Sequence, residues 1–169
     1  METKAQFLEE LKKYNDNYNP EVIGAAFDMA HKLHEGQLRK SGEPYFIHPI
    51  AVSFILANFG MDTETIIAGL MHDVVEDTPY TREQLVEDFG EEIALLVDGV
   101  TKLGNIKYDS KEELQAENFR KMFLAMSKDI RVLIIKLADR LHNMRTAEYW
   151  SESKQKEKSR ETLDIYAPL

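Results

Sequence analysis

The chain has 169 residues, of which 43% are hydrophobic and 30% charged, the composition of an ordinary globular domain that can bury a sizeable core. It contains no cysteine, which excludes disulfides and thiolate metal sites. Its net charge of −9 argues against a protein that coats nucleic acid, and no apolar run approaches the ~18 residues of a membrane span. We therefore expect a cytoplasmic protein that binds neither nucleic acid nor membranes.

The first strong helix signal is Asn19 followed by Pro20, because asparagine caps helices and proline is favoured at the first helical position. Apolar residues then recur at helical spacing, and Gly36 marks the end of this helix. Residues 1–19 are expected to form an N-terminal helical extension. Residues 37–47 have the composition of a loop.

Two further helices are predicted before the middle of the chain. One opens at Pro49 and ends at Gly60, and Thr63 can cap the next. The sequence predicts that this second helix runs without interruption to Asp77, because Thr78-Pro79 then breaks it.

One face of this continuous helix gathers ionisable side chains. At ~100° per residue, His72, Asp73 and Glu76 lie together, opposite a broad apolar stripe. Asp77 lies at the edge of this face, and Gly69 leaves room there for an ion or ligand. Such a face is costly to bury without a partner, and a divalent metal is the simplest one. The alternative is a solvated polar face on an amphipathic helix.

Helix signals continue into the second half of the chain. Thr81 with Gln84 forms a capping-box pattern for a short helix that ends at Gly90. Another short helix is expected to stop near Gly99. Residues 101–109 have little apolar content, which indicates a mobile loop.

The last part of the chain predicts three helices. Ser110 with Glu113 can cap a longer helix. Residues 131–145 are apolar nearly all round, which predicts a buried, central helix, and residues 151–166 predict a final, highly charged one. Since the sequence shows no strand pattern and no internal repeat, we expect a single all-α domain.

Two more residues could carry chemistry. His48 lies just before Pro49, where by itself it fits a capping or packing histidine. Asp139 lies inside the apolar helix predicted for residues 131–145, so its charge needs a cationic partner. Lys136, Arg140 or a metal ion could be that partner.

The combination is more informative than its parts. Imidazoles and carboxylates in the order H…HD…D suit a six-coordinate ion such as Mn²⁺, Fe²⁺ or Mg²⁺ with positions left open. This set consists of His48, His72, Asp73 and Asp139. Glu76 and Asp77 follow one helical turn later and can reach a water or a leaving group as general base or acid. Alternatively, these two carboxylates only close their helix.

A basic loop precedes the first histidine of this set. Arg39, Lys40 and Ser41 lie less than ten residues before His48, and two cations with a hydroxyl suit an anionic substrate. A solvated pair of loop charges is the alternative.

Three other histidines are given structural roles. His31 and His34 could form a metal pair on their helix, but no carboxylate pattern completes it. His142 is expected to pack or to form hydrogen bonds within its own helix.

The H…HD…D order in an all-α chain resembles the HD-domain metal-dependent phosphohydrolases. The flanking motifs are more specific and resemble the RelA/SpoT family of stringent-response enzymes, which make and degrade the alarmone (p)ppGpp. The resemblance runs from about residue 20 to the end of the chain. It rests on RKSGEPY (39–45), IHP (47–49), HDVVEDT (72–78), DGVTKL (98–103), KLADRLHNMRT (136–146) and ETLDIYAPL (161–169).

The resemblance implies an HD-domain helical bundle, the N-terminal hydrolase domain of a longer protein. Residues 20–150 would form the metal-site core, and residues 151–169 a C-terminal helix leading into a synthetase domain and regulatory domains that lie outside this sequence. The implied activity is Mn²⁺-dependent removal of the 3′-pyrophosphate of ppGpp or pppGpp, which gives GDP or GTP and pyrophosphate. In the family, the stretch around residues 101–109 belongs to a region that responds to nucleotide state.

The resemblance also implies a role for each motif residue. The manganese ligands would be His48, His72, Asp73 and Asp139, and the residues that activate or orient the attacking water would be Glu76 and Asp77. The guanine would pack on Arg39, with Lys40 and Ser41 in the same pocket, and Asn143 and Thr146 would meet the nucleotide from the Asp139 helix. Two alternatives stay open: an HD phosphohydrolase that acts on another nucleotide, such as a deoxynucleotide or a cyclic dinucleotide, and a non-catalytic domain that senses the alarmone.

Overall fold

The computed structural model describes residues 2–105, 119–121, 123–124 and 127–169. In this part of the chain the only extended pairing is a single β-bridge between Leu38 and Pro44, which confirms the all-α prediction. None of the described helices is long and apolar enough to cross a membrane. The helices are α1 Lys4–Lys12, α2 Pro20–Leu33, α3 Ile47–Asn58, α4 Thr63–Met71, α5 Val74–Asp77, α6 Arg82–Phe89, α7 Glu91–Gly104, α8 Ile130–Arg145 and α9 Glu152–Glu161; a 3₁₀ turn, Ala147–Tyr149, precedes α9 and a π-helical turn, Thr162–Tyr166, follows it.

Helix α4 is the centre of the bundle. It packs against α2, α3, α7 and α8, and all its residues from Thr65 to Met71 are buried. The expected room for an ion at Gly69 is therefore absent. A β-carbon at Gly69 would lie 2.7 Å from Leu56 Cδ1 and 3.3 Å from Ser53 Oγ, so this glycine allows α3 to approach closely.

The prediction of one continuous helix through Asp77 is wrong. Helix α4 ends at Met71, His72 and Asp73 form a turn, and α5 begins at Val74. Neighbouring residues in a regular helix point ~100° apart and cannot face each other. The turn removes this restriction, and His72 Nε2 lies 2.9 Å from Asp73 Oδ2.

Two predicted helix starts are shifted by one or two residues. The cap of α4 is Asp62, not Thr63, because the Asp62 carboxylate accepts the Thr65 N–H at 2.9 Å. Helix α3 begins at Ile47, which places Pro49 inside its first turn. The predicted caps of α2 and α6 are confirmed: the Asn19 side chain accepts from the backbone of α2, and Thr81 forms the capping box of α6.

Helix α7 continues past the predicted stop at Gly99 to Gly104. A β-carbon at Gly99 would lie 2.8 and 2.9 Å from the two γ-carbons of Val132, so this glycine permits close packing of α7 on α8. Residues 101–104 are therefore helical, not loop. The rest of the predicted loop and the helix expected from Ser110 fall mostly outside the described residues.

Both ends of the described chain join the bundle. Phe7 and Leu11 of α1 are buried in the hydrophobic core, so the N-terminal extension packs against α2 and α3. At the other end, Ile165 and Tyr166 of the π-helical turn are buried in the same core. Helix α9, which precedes this turn, is highly charged, as its composition predicts, and Glu161 is its one buried residue.

We predict that Gly99→Ala destabilises the protein by about 1–3 kcal/mol, because Val132 is stiff and its β-carbon is also close, at 3.4 Å. The matched control is Gly24→Ala in α2, where the new methyl group meets only ordinary contacts at 3.6 and 3.7 Å. The control should be neutral or gain up to about 1 kcal/mol of helix propensity. Urea unfolding of both variants tests this, and equal stabilities would show that the α7–α8 approach is not tight.

Candidate metal centre

Three side chains from three helices meet inside the bundle. His48 comes from the first turn of α3, His72 from the end of α4 and Asp139 from the middle of α8, and one ligand atom of each lies within 4.8 Å of the others. His48 Nε2 is 2.7 Å from Asp139 Oδ1, and His72 Nε2 is 3.5 Å from the same oxygen. All three residues are more than 90% buried. The structure thus brings together three of the four residues of the H…HD…D set at one point.

The fourth residue, Asp73, adjoins this group. Its Oδ2 lies 2.9 Å from His72 Nε2 and 3.9 Å from His48 Nε2. Tyr45 donates its hydroxyl to the same oxygen at 2.5 Å. Burial, and then the Asp73 charge, raise the pKa of Tyr45, which keeps the hydroxyl protonated and able to donate. Sequence reasoning missed Tyr45, although it ends the basic loop three residues before His48.

The electrostatics of the group favour a cation at its centre. Burial alone would raise the pKa of Asp73, but the charge and hydrogen bond of His72, together with His48, outweigh it and lower this pKa to about 2. Burial opposes a charge on His72 as well, yet Asp73 and Asp139 together raise the pKa of this ring well above its ordinary value. Two ionised carboxylates therefore attract either a proton or a metal ion to this position.

A buried ring nitrogen provides the test of whether a metal fits. His72 Nδ1 lies 2.6 Å from the Gly69 carbonyl oxygen, which can only accept, so Nδ1 carries the proton. In the neutral ring Nε2 then has a free lone pair. It is fully buried, has no hydrogen-bond partner and faces carboxylate oxygens. That arrangement is unfavourable without a cation and fits an imidazole ligand.

The ion-pair alternative for Asp139 is also present in the structure. Lys136 Nζ lies 3.1 Å from Asp139 Oδ2, while Oδ1 faces the two imidazoles. The Lys136 charge, assisted by the hydrogen bond from His48, holds the pKa of Asp139 well below its ordinary value despite burial. The two oxygens of Asp139 can therefore serve an ion pair and a metal at once.

The two carboxylates predicted to act on water lie at the exposed edge of this group. Glu76 and Asp77 belong to the short helix α5, one turn beyond Asp73, and both are exposed. Although both residues are exposed, partial loss of water around their carboxylates contributes most to raising the pKa of each. The next contribution is the charge of Asp77 for Glu76 and the charge of Asp73 for Asp77. A raised carboxyl pKa moves toward the range that suits a general acid or base.

The predicted nucleotide-binding residues form a second group beside the first. The guanidinium of Arg39 donates from Nη2 to Asn143 Oδ1 at 3.1 Å and to Thr146 Oγ1 at 3.2 Å. Asn143 in turn donates to Asp139 Oδ1 at 3.3 Å. A tight loop places Arg39, since its N–H and carbonyl bond to Glu43 and Gly42, and Gly42 has a φ of +86°.

A cavity of about 680 Å³ opens beside both groups. Arg39, Lys40 and Ser41 line it, as the sequence predicts for a substrate pocket, together with Asn143 and Thr146. Six basic and four acidic side chains line the cavity, which makes it basic in a protein of net charge −9. The charged lining residues are Arg39, Lys40, Lys136, Arg140, Lys154, Lys158, Glu43, Asp139, Glu157 and Glu161.

Not every predicted site residue lines this cavity. The imidazoles of His48 and His72 are almost fully buried, and Asp139 is the member of the metal group that reaches the cavity wall. Glu76 and Asp77 do not line it either. The cavity therefore adjoins the predicted nucleotide-binding residues, and the acidic edge of α5 lies apart from it.

The remaining histidines differ from their predicted roles in one case. The His142 ring packs, as one of the two expectations states, but it stacks on His48 of α3 and places its Nδ1 2.7 Å from His48 Nδ1. The alternative expectation, a hydrogen bond within α8, is wrong for this ring. His34 is buried beside Tyr45 and bonds through Nδ1 to Gln37, 2.8 Å away. His31 stacks on Phe46 in the wall of the core.

Residues 26–169 match the family model described as HD domain. Among curated proteins, the chain is 59% identical over 147 residues to a GTP pyrophosphokinase of Streptomyces coelicolor, which covers 87% of this chain and 17% of that protein. It is 50% identical over 166 residues to the bifunctional (p)ppGpp synthase/hydrolase SpoT of Escherichia coli, which covers 96% of this chain and 24% of the relative. The chain thus spans about a fifth of the length of these relatives.

A solved structure described as a metazoan ortholog of SpoT that hydrolyses ppGpp is also similar. It superposes with a TM-score of 0.69 at 28% identity, over 88% of this chain and 87% of that one.

We predict that Mn²⁺ raises the thermal unfolding midpoint of the metal-stripped protein. A ligand at 100 times its dissociation constant stabilises the folded state by about 2.7 kcal/mol, which corresponds to a shift of roughly 5–10 °C for a chain of this size. The shift should disappear in His72→Ala and persist in the control His31→Ala, whose ring lies outside the group. Equal shifts in both variants would place the ion elsewhere.

Proposed function

The chain belongs to the HD domain family, within the RelA/SpoT group, and from this membership we propose that it hydrolyses the 3′-pyrophosphate of ppGpp or pppGpp. The products are GDP or GTP and pyrophosphate. The observation that carries the proposal is the bare, buried Nε2 of His72, aimed at two carboxylates beside a basic cavity. The names of the relatives support the choice of substrate.

We assign the metal site to four ligands, His48, His72, Asp73 and Asp139. Two imidazoles with two carboxylates and no thiolate suit Mn²⁺, which is the metal we propose. When bound, such an ion acts as a Lewis acid that neutralises charge on a phosphoryl oxygen and lowers the pKa of a water molecule. Tyr45 keeps Asp73 in place through its hydroxyl, and Lys136 balances the second oxygen of Asp139.

Hydrolysis requires an activated water and a stabilised leaving oxygen. The bond that breaks joins O3′ of the ribose to its phosphorus, and the oxygen of water forms the new bond to that phosphorus. Glu76 and Asp77 are suited to accept the proton of water and to return a proton to O3′, since their pKa values are raised and they lie at the solvent side. The net products are one free hydroxyl and pyrophosphate.

The basic cavity is the proposed site for the guanosine and its 5′-phosphates. The planar guanidinium of Arg39 is held by Asn143 and Thr146, so one face can pack on a base at little entropic cost. Lys40 and Ser41 follow on the same loop and offer an ammonium and a hydroxyl to phosphate oxygens. In this arrangement the cavity binds the guanosine and its 5′-phosphates, and the 3′-pyrophosphate extends toward the proposed metal ligands.

The first experiment uses metal-stripped protein and ppGpp, with and without Mn²⁺, and separates the products by anion exchange. We expect GDP and pyrophosphate only when Mn²⁺ is present. Asp73→Ala should lose both Mn²⁺ binding and turnover, whereas the control His31→Ala should retain both.

Other outcomes would select the alternatives. Turnover of a deoxynucleotide or a cyclic dinucleotide, with ppGpp untouched, would identify a different HD phosphohydrolase. Tight binding of ppGpp without hydrolysis under Mn²⁺ would indicate a sensing domain. Full turnover by Asp73→Ala would show that the ligand assignment is wrong.

We predict that the double variant Glu76→Gln/Asp77→Asn separates metal binding from chemistry. General acid–base groups typically contribute 10²–10⁴-fold, so kcat should fall by about 100-fold or more. The dissociation constant for Mn²⁺, measured by calorimetry, should stay within a few-fold of the parent protein because neither residue is an assigned ligand. A large loss of Mn²⁺ affinity would instead make one of these carboxylates a ligand.

A further inference from the structure

The two ring nitrogens of His48 face different partners. Nε2 points to Asp139 Oδ1 at 2.7 Å, inside the metal group. Nδ1 lies 2.7 Å from Nδ1 of His142, and the two rings stack with centroids 4.9 Å apart. His142 is half-buried on α8, one turn after Asp139 on the same helix.

Only one proton can lie between the two Nδ1 atoms. If both nitrogens carried one, two N–H groups would point at each other across 2.7 Å, which is repulsive. When each ring carries a single proton, one Nδ1 donates across this contact and the other accepts. The pair can therefore exist in two tautomeric arrangements with the same number of protons.

The second ligand imidazole has no such choice. His72 Nδ1 bonds to the Gly69 carbonyl, which accepts and never donates, so in the neutral ring Nε2 is the free nitrogen. An imidazole partner, unlike a carbonyl, can either donate or accept. His48 therefore offers Nε2 to a metal only when His142 Nδ1 acts as the acceptor.

We propose that His142 is a positioning residue that fixes the tautomer of His48 and thereby sets the affinity of the site for its metal. The proposal rests on the metal assignment made above. Without metal, His48 donates from Nε2 to Asp139 and accepts the proton of His142 Nδ1. With metal, His48 donates from Nδ1 to His142, whose own proton then resides on Nε2. No proton is gained or lost by the two rings together.

Variants of His142 separate the tautomeric role from simple packing. His142→Leu removes the partner of His48 Nδ1, whereas His142→Asn places an amide at about the position of the ring Nδ1 and can still accept. Loss of an outer hydrogen-bond partner of a metal ligand typically lowers metal affinity 10–100-fold, and we expect that loss for the leucine variant. The asparagine variant should recover most of it, to within a few-fold of the parent. His31→Leu is the matched control, since it makes the same change at a ring that stacks on Phe46 outside the site.

Calorimetric titration of the stripped proteins with Mn²⁺ gives these affinities, and circular dichroism establishes that each variant is folded. If His142→Leu binds Mn²⁺ as tightly as the parent, the proposal is overturned. If asparagine and leucine lower the affinity equally, the role of His142 is packing and the proposal is also overturned. If the parent protein binds no metal at all, the failure lies instead with the proposed function.

A spectroscopic measurement on the unaltered protein requires no variant to fold. Ring ¹⁵N chemical shifts of labelled histidines distinguish a protonated from a bare nitrogen, and Zn²⁺ serves as a diamagnetic probe. Zinc should move the proton of His48 to Nδ1 and that of His142 to Nε2, while His72 keeps its proton on Nδ1 throughout. A proton that stays on His142 Nδ1 in the zinc-loaded protein would refute the proposed exchange.

Discussion

An ionised carboxylate buried in the middle of a helical bundle is the constraint on which the rest of this structure depends. Asp139 would be costly to bury alone, and its two oxygens are therefore matched on both sides. Oδ1 faces His48 and His72, and Oδ2 faces Lys136. The matching residues come from three different helices, so α3, α4 and α8 must meet at one point.

Helix α8 joins the proposed metal site to the proposed nucleotide-binding cavity. Asn143 lies one turn beyond Asp139 and bonds to it, and Arg39 bonds in turn to Asn143 and Thr146. The loop that carries Arg39 is thus attached to the same rigid element as the buried carboxylate. In the proposed function, this attachment fixes the distance between the base of the nucleotide and the phosphorus that reacts.

Two glycines and one helix break determine how the helices pack around the site. Gly69 and Gly99 lie where neighbouring helices approach too closely for a β-carbon. The sequence pattern alone predicts an ion-binding gap at Gly69 and the end of a helix at Gly99. The turn at His72 and Asp73 lets adjacent side chains converge, which a continuous helix would prevent. At both glycines the local pattern has a tertiary cause, because the close approach involves residues distant in the sequence.

The sequence by itself determined the helical class and two of the helix caps, and it predicted which residues carry chemistry. Helix periodicity and capping depend on neighbours within a few residues, so Asn19, Thr81 and the charged C-terminal helix could be interpreted locally. The H…HD…D order and the flanking motifs predicted the family, which the comparisons confirm. The roles of Glu76 and Asp77 and the ligand set remain predictions, since geometry supports them without testing them.

Only the tertiary structure decided how these residues face one another. The hydroxyl of Tyr45 on Asp73, and the contact between His48 and His142, join positions 28 and 94 residues apart. No local pattern encodes such a pair, because the hydrogen bond depends on how α3, the turn after α4 and α8 pack together. Composition and spacing specified the residue types of the predicted ligands, whereas helix packing determined which nitrogen and which oxygen each of these side chains presents.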